Sequence, residues 1–288
     1  MKKILGVAII LSGLCAGSAY TQQPPQVFTG RLSDSTCGAS HQPRAGSMSE
    51  RECIFECIKA LAKYVLVDQD NKVIAIANQD LMGIPLYAGR MVRITGELKG
   101  NAIVAAKIEA IPAHLHLGHV MTNWRDTPGS VGFLPAAISE AKVAVNHARL
   151  AERDPKNLED MKLHAGHVTN ALDPSVEPKG PGAGYGVKKA VAGALQHLDF
   201  AAKADGASAA VKTHAAHVSA SLTDAAQSTD QAIALAQKIR AAASAAEAAP
   251  LVSNLIALTT QIVDGLSQSQ TEMASMMKGE GILENMPR

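Results

Sequence analysis

Residues 158–172, Leu-Glu-Asp-Met-Lys-Leu-His-Ala-Gly-His-Val-Thr-Asn-Ala-Leu, carry the pattern that decides the fold of the second half of the chain. The apolar residues recur at alternating spacings of three and four, as in a helix packed along other helices, and they are Leu158, Met161, Ala165, Val168 and Leu172. The same seam returns at Val211, Ala215, Val218 and Leu222. We therefore predict an all-α, up-and-down helical bundle over 113–288.

Loops rich in Gly, Pro and Asp interrupt this helical pattern, and the last interruption is expected at Pro250. The stretches between them predict helices near 136–153, 156–172, 187–203, 207–222, 226–248 and 251–277. A short leading helix is expected within 114–125. No later segment reads as apolar enough to cross a bilayer, so we expect no stable membrane span.

Histidines follow a repeated pattern along these predicted helices. Three His-x-x-His-Val units occur, at 116–120, 164–168 and 214–218, and nine of the ten histidines lie within 114–217. The single residues His147 and His197 each lie 17 positions before one of the units. This arrangement is an internal repeat with an offset of 50, in which Ala151/Ala201 and Lys162/Lys212 match as well. Imidazole is the commonest protein ligand for transition metals, so the repeat predicts a ligand site.

The connections between helices predict which histidines lie at the same height. In an antiparallel hairpin, two residues equidistant from the turn face each other. The midpoint of His147 and His164 is 155.5, and that of His197 and His214 is 205.5; both fall in predicted turns. The longer connections give midpoints of 133 for His119 with His147 and 182 for His167 with His197. We therefore expect one layer of histidines across the bundle.

A layer rich in imidazole and poor in carboxylates suits Zn, Cu, Ni or Co better than Mg, Ca or Mn. The candidate metal ligands are His147, His164, His197 and His214, followed by His116, His119, His167 and His217. Haem b held by two histidines is an alternative, since Cys-x-x-Cys-His for covalent haem does not occur. Histidines that only form structural hydrogen bonds, and histidines that lie on the surface or sense pH, are two further interpretations of the repeat.

The expected function is therefore sequestration, buffering or delivery of a late transition metal. Electron transfer through haem and a structural or interaction module are the competing functions. An enzyme has the least support, because no nucleophile–base pair and no acid–base carboxylates can be assigned. With 27 basic and 26 acidic residues, the chain has no charge excess that favours nucleic acid. A metal ion is the expected partner; protein partners and self-association stay open.

Residues 26–112 alternate like β-strands, with one short helix over 50–62. About five strands and one helix predict a small barrel, so the whole chain is expected to be α+β with two domains. The stretch Val27-Phe28-Thr29-Gly30 and the closing stretch 88–96, Ala-Gly-Arg-Met-Val-Arg-Ile-Thr-Gly, resemble those of small secreted bacterial OB-like domains. The resemblance covers 26–112 and implies an OB-like fold, with little about activity.

The predicted barrel has its own group of candidate ligands: Cys37, His41, Cys53 and Cys57. Together they could form a tetrahedral Cys3His metal site. A disulfide between Cys37 and either other cysteine is the competing interpretation, and an oxidising compartment favours it. One disulfide would leave one free thiol beside His41.

The first nineteen residues have the features of a bacterial signal peptide. Lys2 and Lys3 precede an apolar run, 4–14, and small residues follow at 16–19, which predicts cleavage after Ser18 or Ala19. We expect a periplasmic or secreted protein. Lipidation at Cys15 is disfavoured, because Leu14 stands where a small residue should precede a lipidated cysteine.

Overall fold

A computed structural model of the chain describes residues 24–41 and 48–282. The expected signal peptide over 1–19, and Cys15 within it, lie outside these residues. The described part is mixed α+β, with a five-stranded sheet ahead of a long helical region, as the sequence predicts.

The strands are β1 Gln26–Asp34, β2 Tyr64–Val67, β3 Val73–Ile76, β4 Met91–Lys99 and β5 Ala102–Ala110. They pair in the order β1-β2-β3-β5-β4, and β1 also pairs with β4, so the sheet closes into a barrel. Only the β3–β5 pair is parallel among these described strands. The interior is filled by large aliphatic side chains with no exposed surface, such as Leu32, Leu66, Ile94 and Ile103.

Helix α1, Glu50–Lys59, follows β1 in the chain and packs on the barrel. Ser49 caps its N-terminus and forms a reciprocal capping box with Glu52, which fixes where the helix begins. Its buried side chains are Cys53, Ile54 and Cys57. Ile54 enters the barrel core, and the two cysteines, one turn apart, face the end of β1.

The later helices are α2 Pro112–Met121, α3 Phe133–Glu152, α4 Leu158–Leu172, α5 Val187–Lys203, α6 Ala209–Ala241 and α7 Ala245–Gly279. Two short 3-10 helices lie at Ile84–Tyr87 and Pro128–Ser130. The helices share one buried apolar cluster that runs from Ile111 to Met277, separate from the barrel cluster of Leu32 to Ile108. Alanines make up much of the helical cluster, so the helices pack with little side chain between them.

Two predicted helix boundaries are wrong. No break separates 222 from 226, because the buried seam continues through Leu222, Ala225 and Thr229 at spacings of three and four. Helix α7 begins before Pro250, where Ser244 caps the first turn by accepting a hydrogen bond from the Glu247 backbone N–H. Pro250 lies in the second turn and removes only one early hydrogen bond. The turn between α6 and α7 is therefore 242–244.

Helix α7 is long and apolar enough to cross a membrane by length and composition, which corrects the expectation that no later segment is. Ser, Thr and Gln interrupt the apolar residues of α7. The helix therefore has no long continuous apolar run, although its mean hydropathy is high. In the structure α7 packs along α6 and α3, and its buried residues are Ala248, Val252, Leu255, Thr259, Ile262, Leu266, Ser269, Met273, Met276 and Met277.

The Gly/Pro-rich connection between α4 and α5 is held by a buried glutamate. Glu140 of α3 is 2% exposed, and its two carboxylate oxygens accept hydrogen bonds from the backbone N–H groups of Ala183, Tyr185 and Gly186 at 3.0–3.1 Å. A connector that packs on α3 in this way defines where α5 begins. Because α5 carries His197, the glutamate helps to place a candidate ligand.

We expect Glu140→Gln to lower the free energy of unfolding by about 2 kcal/mol, because the amide N–H2 group would face a backbone donor in place of a carboxylate oxygen. Urea unfolding followed by circular dichroism measures the change. The control is Glu159→Gln on the exposed face of α4, for which we expect a smaller loss. Equal losses in the two variants would contradict the anchoring role.

Candidate metal centres

Three of the predicted ligands meet between α2 and α5. The Nδ1 atom of His197 lies 3.1 Å from Nδ1 of His116 and 3.2 Å from Nδ1 of His119. His197 is only 7% exposed, and the other two are partly buried. We name this group the α2/α5 trio.

Aromatic rings enclose the α2/α5 trio. Trp124 lies 4.9 Å from the ring of His119 and 5.0 Å from that of His197, and Phe133 lies 5.3 Å from His197, between ring centroids. Gly193, one turn before His197, allows this approach, since a Cβ there would lie 2.4 Å from the Phe133 ring. With aromatics at only 3% of the chain, this is a marked concentration around one group of imidazoles.

A second trio lies between α3 and α4 and has the same construction. Nδ1 of His147 lies 2.9 Å from Nδ1 of His164 and 3.3 Å from Nδ1 of His167. Asp160, one turn before His164, lies 3.6 Å from the other ring nitrogen of that histidine. All three side chains are partly buried. We name this group the α3/α4 trio.

The short distances between nitrogens fit a shared ion better than hydrogen bonds. An imidazole nitrogen carries either one proton or one lone pair, so Nδ1 of His147 can form one well-directed hydrogen bond. It nevertheless lies close to two other nitrogens, as does Nδ1 of His197. Ligands at about 2.0–2.1 Å from a tetrahedral zinc ion lie about 3.3 Å apart, and then all three lone pairs point at one atom.

Burial keeps most of these imidazoles neutral. Desolvation lowers the pKa of His116, His119, His147 and His164, and it lowers the pKa of His197 to about 4, where the neighbouring imidazoles add to the effect. Metal ions bind the neutral ring, because a protonated imidazole has no free lone pair. At neutral pH these five imidazoles are therefore in the form that accepts a metal.

The third His-x-x-His pair meets a carboxylate instead of a histidine. Glu272 of α7 lies 2.9 Å from Nδ1 of His214 and 3.5 Å from Nδ1 of His217. This α6/α7 group is the most open of the three, with the His217 side chain 65% exposed. Sequence reasoning missed Glu272 because the turn was expected at Pro250. With the true turn at 242–244, His214 and Glu272 are equidistant from Ala243.

The expected single layer of histidines is wrong. His147 and His164 meet as predicted, but the ring of His197 lies against Phe133 at the start of α3. His147 lies 14 residues further along that helix, about 21 Å away at 1.5 Å per residue. The predicted midpoint of 133 for His119 and His147 fails because α3 already begins at Phe133.

His197 and His214 show a second reason for the failure. They are equidistant from the α5–α6 turn, yet His197 faces α2 and His214 faces α7. Equal height does not imply the same face of the bundle. The remaining histidine of this region, His114, lies 3.3 Å from Glu280 and belongs to none of the three groups.

The trios do not favour the haem alternative. Two axial histidines bind iron from opposite sides of the porphyrin plane. In each trio, Nδ1 of the single histidine lies within 3.3 Å of Nδ1 of both histidines of the pair. This leaves no space for that plane between them. The candidate centres therefore fit a bare ion.

The predicted cysteine and histidine ligands of the barrel also come together. Sγ of Cys37 lies 3.9 Å from Sγ of Cys53 and 3.8 Å from Sγ of Cys57, and ligand atoms of His41 and Asp34 lie close by. All three cysteines are free, so the expected disulfide is not present in the structure. Burial raises the pKa of Cys57 to about 12, and neighbouring Cys37 and Asp34 add to that rise.

Compared with protein-family models, with curated proteins and with solved structures, the chain matches none.

Proposed function

We propose that the helical half of the chain binds late transition-metal ions at the α2/α5 trio and the α3/α4 trio, and that it sequesters, buffers or delivers them. One observation carries this proposal. In both trios a His-x-x-His pair on one helix brings its Nδ1 atoms within 3.3 Å of the Nδ1 atom of a single histidine on another helix.

The donor set indicates the class of metal. Three neutral imidazoles suit Zn, Cu, Ni or Co, whereas Mg and Ca prefer oxygen ligands. Three protein ligands leave a fourth position open around a tetrahedral ion. An open position lets an incoming ligand bind before the metal leaves, which suits exchange better than permanent retention. We assign no reaction to these sites.

We rank the α6/α7 group below the trios. Its two histidines are more exposed, and the hydrogen bond from His214 to Glu272 at 2.9 Å already accounts for the contact. A partly exposed pair of this kind contributes little to stability.

We further propose that the protein works in the periplasm after removal of the leader, and that the chain divides near Pro112 into an OB-like domain and an up-and-down bundle. The composition of 1–19 supports the first part. The separate apolar clusters and the barrel order β1-β2-β3-β5-β4 support the second.

Metal stoichiometry tests the two trios directly. We expect His147→Asn and His197→Asn each to reduce the zinc or nickel bound at saturation by one equivalent, and the double variant to reduce it by two. Asparagine can still form a hydrogen bond but cannot complete a three-imidazole centre. Dialysis followed by elemental analysis measures the metal, and circular dichroism verifies the fold.

Two variants serve as controls for that experiment. His114→Asn removes a histidine of the same region that lies outside the trios, and His214→Asn alters the exposed group. We expect both to retain the wild-type stoichiometry. If both trio variants also retain it, the proposed function is wrong.

Metal binding should also stabilise the fold. At a free ion concentration of 100 times Kd, one site adds about 2.7 kcal/mol to the free energy of unfolding. We expect nickel to raise the Tm of the wild type, a chelator to reverse the rise, and the His147→Asn/His197→Asn variant to show a clearly smaller rise. An equal rise in wild type and double variant would show that the metal acts elsewhere.

A further inference from the structure

The end of β1 and the first turns of α1 hold a cluster of donors that the bundle does not involve. Ligand atoms of Cys37, His41 and Cys53 lie within 4.8 Å of one another, and so do those of Asp34, Cys37 and Cys57. Cys37 belongs to both sets. Three thiols, one imidazole and one carboxylate therefore form two overlapping sets around Cys37 at the edge of the barrel.

Hydrogen bonds fix which nitrogen of His41 carries the proton. The hydroxyl of Ser33 donates to the carbonyl oxygen of Gly38 at 2.7 Å, so its oxygen is left as an acceptor. Nε2 of His41 lies 2.7 Å from that oxygen and must be the donor. In the neutral ring Nδ1 then carries the lone pair.

That lone pair has no hydrogen-bond partner among the described residues, although the His41 side chain is only 6% exposed. Oδ2 of Asp34 lies 3.8 Å from this Nδ1 atom; it is buried and also lacks a hydrogen-bond partner among the described residues. The other oxygen, Oδ1, is occupied by the N–H groups of Thr36 and Cys37. Two buried acceptors that face each other cost free energy unless a cation lies between them.

We propose that Cys37, Cys53, Cys57 and Nδ1 of His41 bind one zinc-class ion, with the Asp34 carboxylate facing it. Sulfur atoms bound at about 2.3 Å to a tetrahedral ion lie about 3.8 Å apart, close to the 3.8 and 3.9 Å measured around Cys37. The hydrogen bond from Nε2 of His41 to Ser33 orients the ring as an outer-shell contact does in zinc sites.

The ion would have a structural role. Cys37 lies in the turn after β1, and Cys53 and Cys57 lie on α1, so the ion fastens the helix to the barrel. Four protein ligands close the coordination sphere, unlike the open sphere of each histidine trio. A disulfide from Cys37 would leave the third thiol, Nδ1 of His41 and Oδ2 of Asp34 without partners.

Cobalt substitution in the His147→Asn/His197→Asn background tests the site separately from the trios. Thiolate ligands give Co²⁺ an intense near-ultraviolet charge-transfer absorption that imidazole ligands do not give. We expect one equivalent of Co²⁺ with this absorption, displaced by Zn²⁺. Cys37→Ser should lose both the absorption and the equivalent, whereas Ser40→Ala, on the same turn, should retain both. Absence of the absorption in the background protein would overturn the proposal and leave the trios untouched.

Two further variants identify the fourth ligand. We expect His41→Gln to lose the bound equivalent at limiting metal and Asp34→Asn to keep it. The opposite result would overturn the assignment of His41.

A measurement on the unmutated chain covers the case in which Cys37→Ser fails to fold. Protein purified without reductant is denatured in the presence of a chelator, its free thiols are alkylated, and its mass is measured by mass spectrometry. For protein without the leader, and thus without Cys15, three added groups are expected in the mass spectrum; one added group indicates a disulfide and would overturn the proposal.

Discussion

The histidine sites depend on one constraint, the burial of the residue that follows each histidine of a His-x-x-His-Val unit. Leu117 and Val120, Ala165 and Val168, and Ala215 and Val218 are at most 2% exposed. One residue back along a helix is a rotation of about 100°, so each imidazole lies at the edge of the buried seam. From that edge it reaches a neighbouring helix without entering the apolar core. Small residues in the seam bring the neighbouring helix near enough.

Much of the architecture follows from periodicity that can be read in the sequence. The change from alternating residues to three-four spacing near Pro112 marks where strands give way to helices, and the seam of α4 matches its buried face. The contact of His147 with His164 also follows from the sequence, because the α3–α4 turn is short and its centre unambiguous. Helix ends were harder to predict, since Pro250 lies inside α7 where a break was expected.

The side chains that each histidine contacts could not all be predicted from spacing along the sequence. Distance from a turn gives the height of a residue along a hairpin, whereas the face it presents depends on how each helix is rotated in the bundle. His197 therefore meets α2, a helix outside its own hairpin. Glu272 was not predicted, because the midpoint argument considered only histidines and because the α6–α7 turn was expected at Pro250. In the barrel, the sequence predicts the grouping of the three cysteines with His41. It does not predict Asp34, which the turn after β1 brings beside Cys57.

The internal repeat explains why the three groups differ. The repeated pattern has three His-x-x-His pairs but only two single histidines, His147 and His197, so one pair has a different third ligand. Helix α4 uses the single histidine of the first copy, and α2 uses that of the second copy. The pair on α6 is left with a glutamate from α7, outside the repeat. Because a carboxylate is a harder ligand than an imidazole, this group suits late transition metals less well than the trios do. The α6/α7 group therefore has weaker metal-binding character than the two trios, and the softest ligands of all lie in the barrel, where three thiols meet at the end of β1.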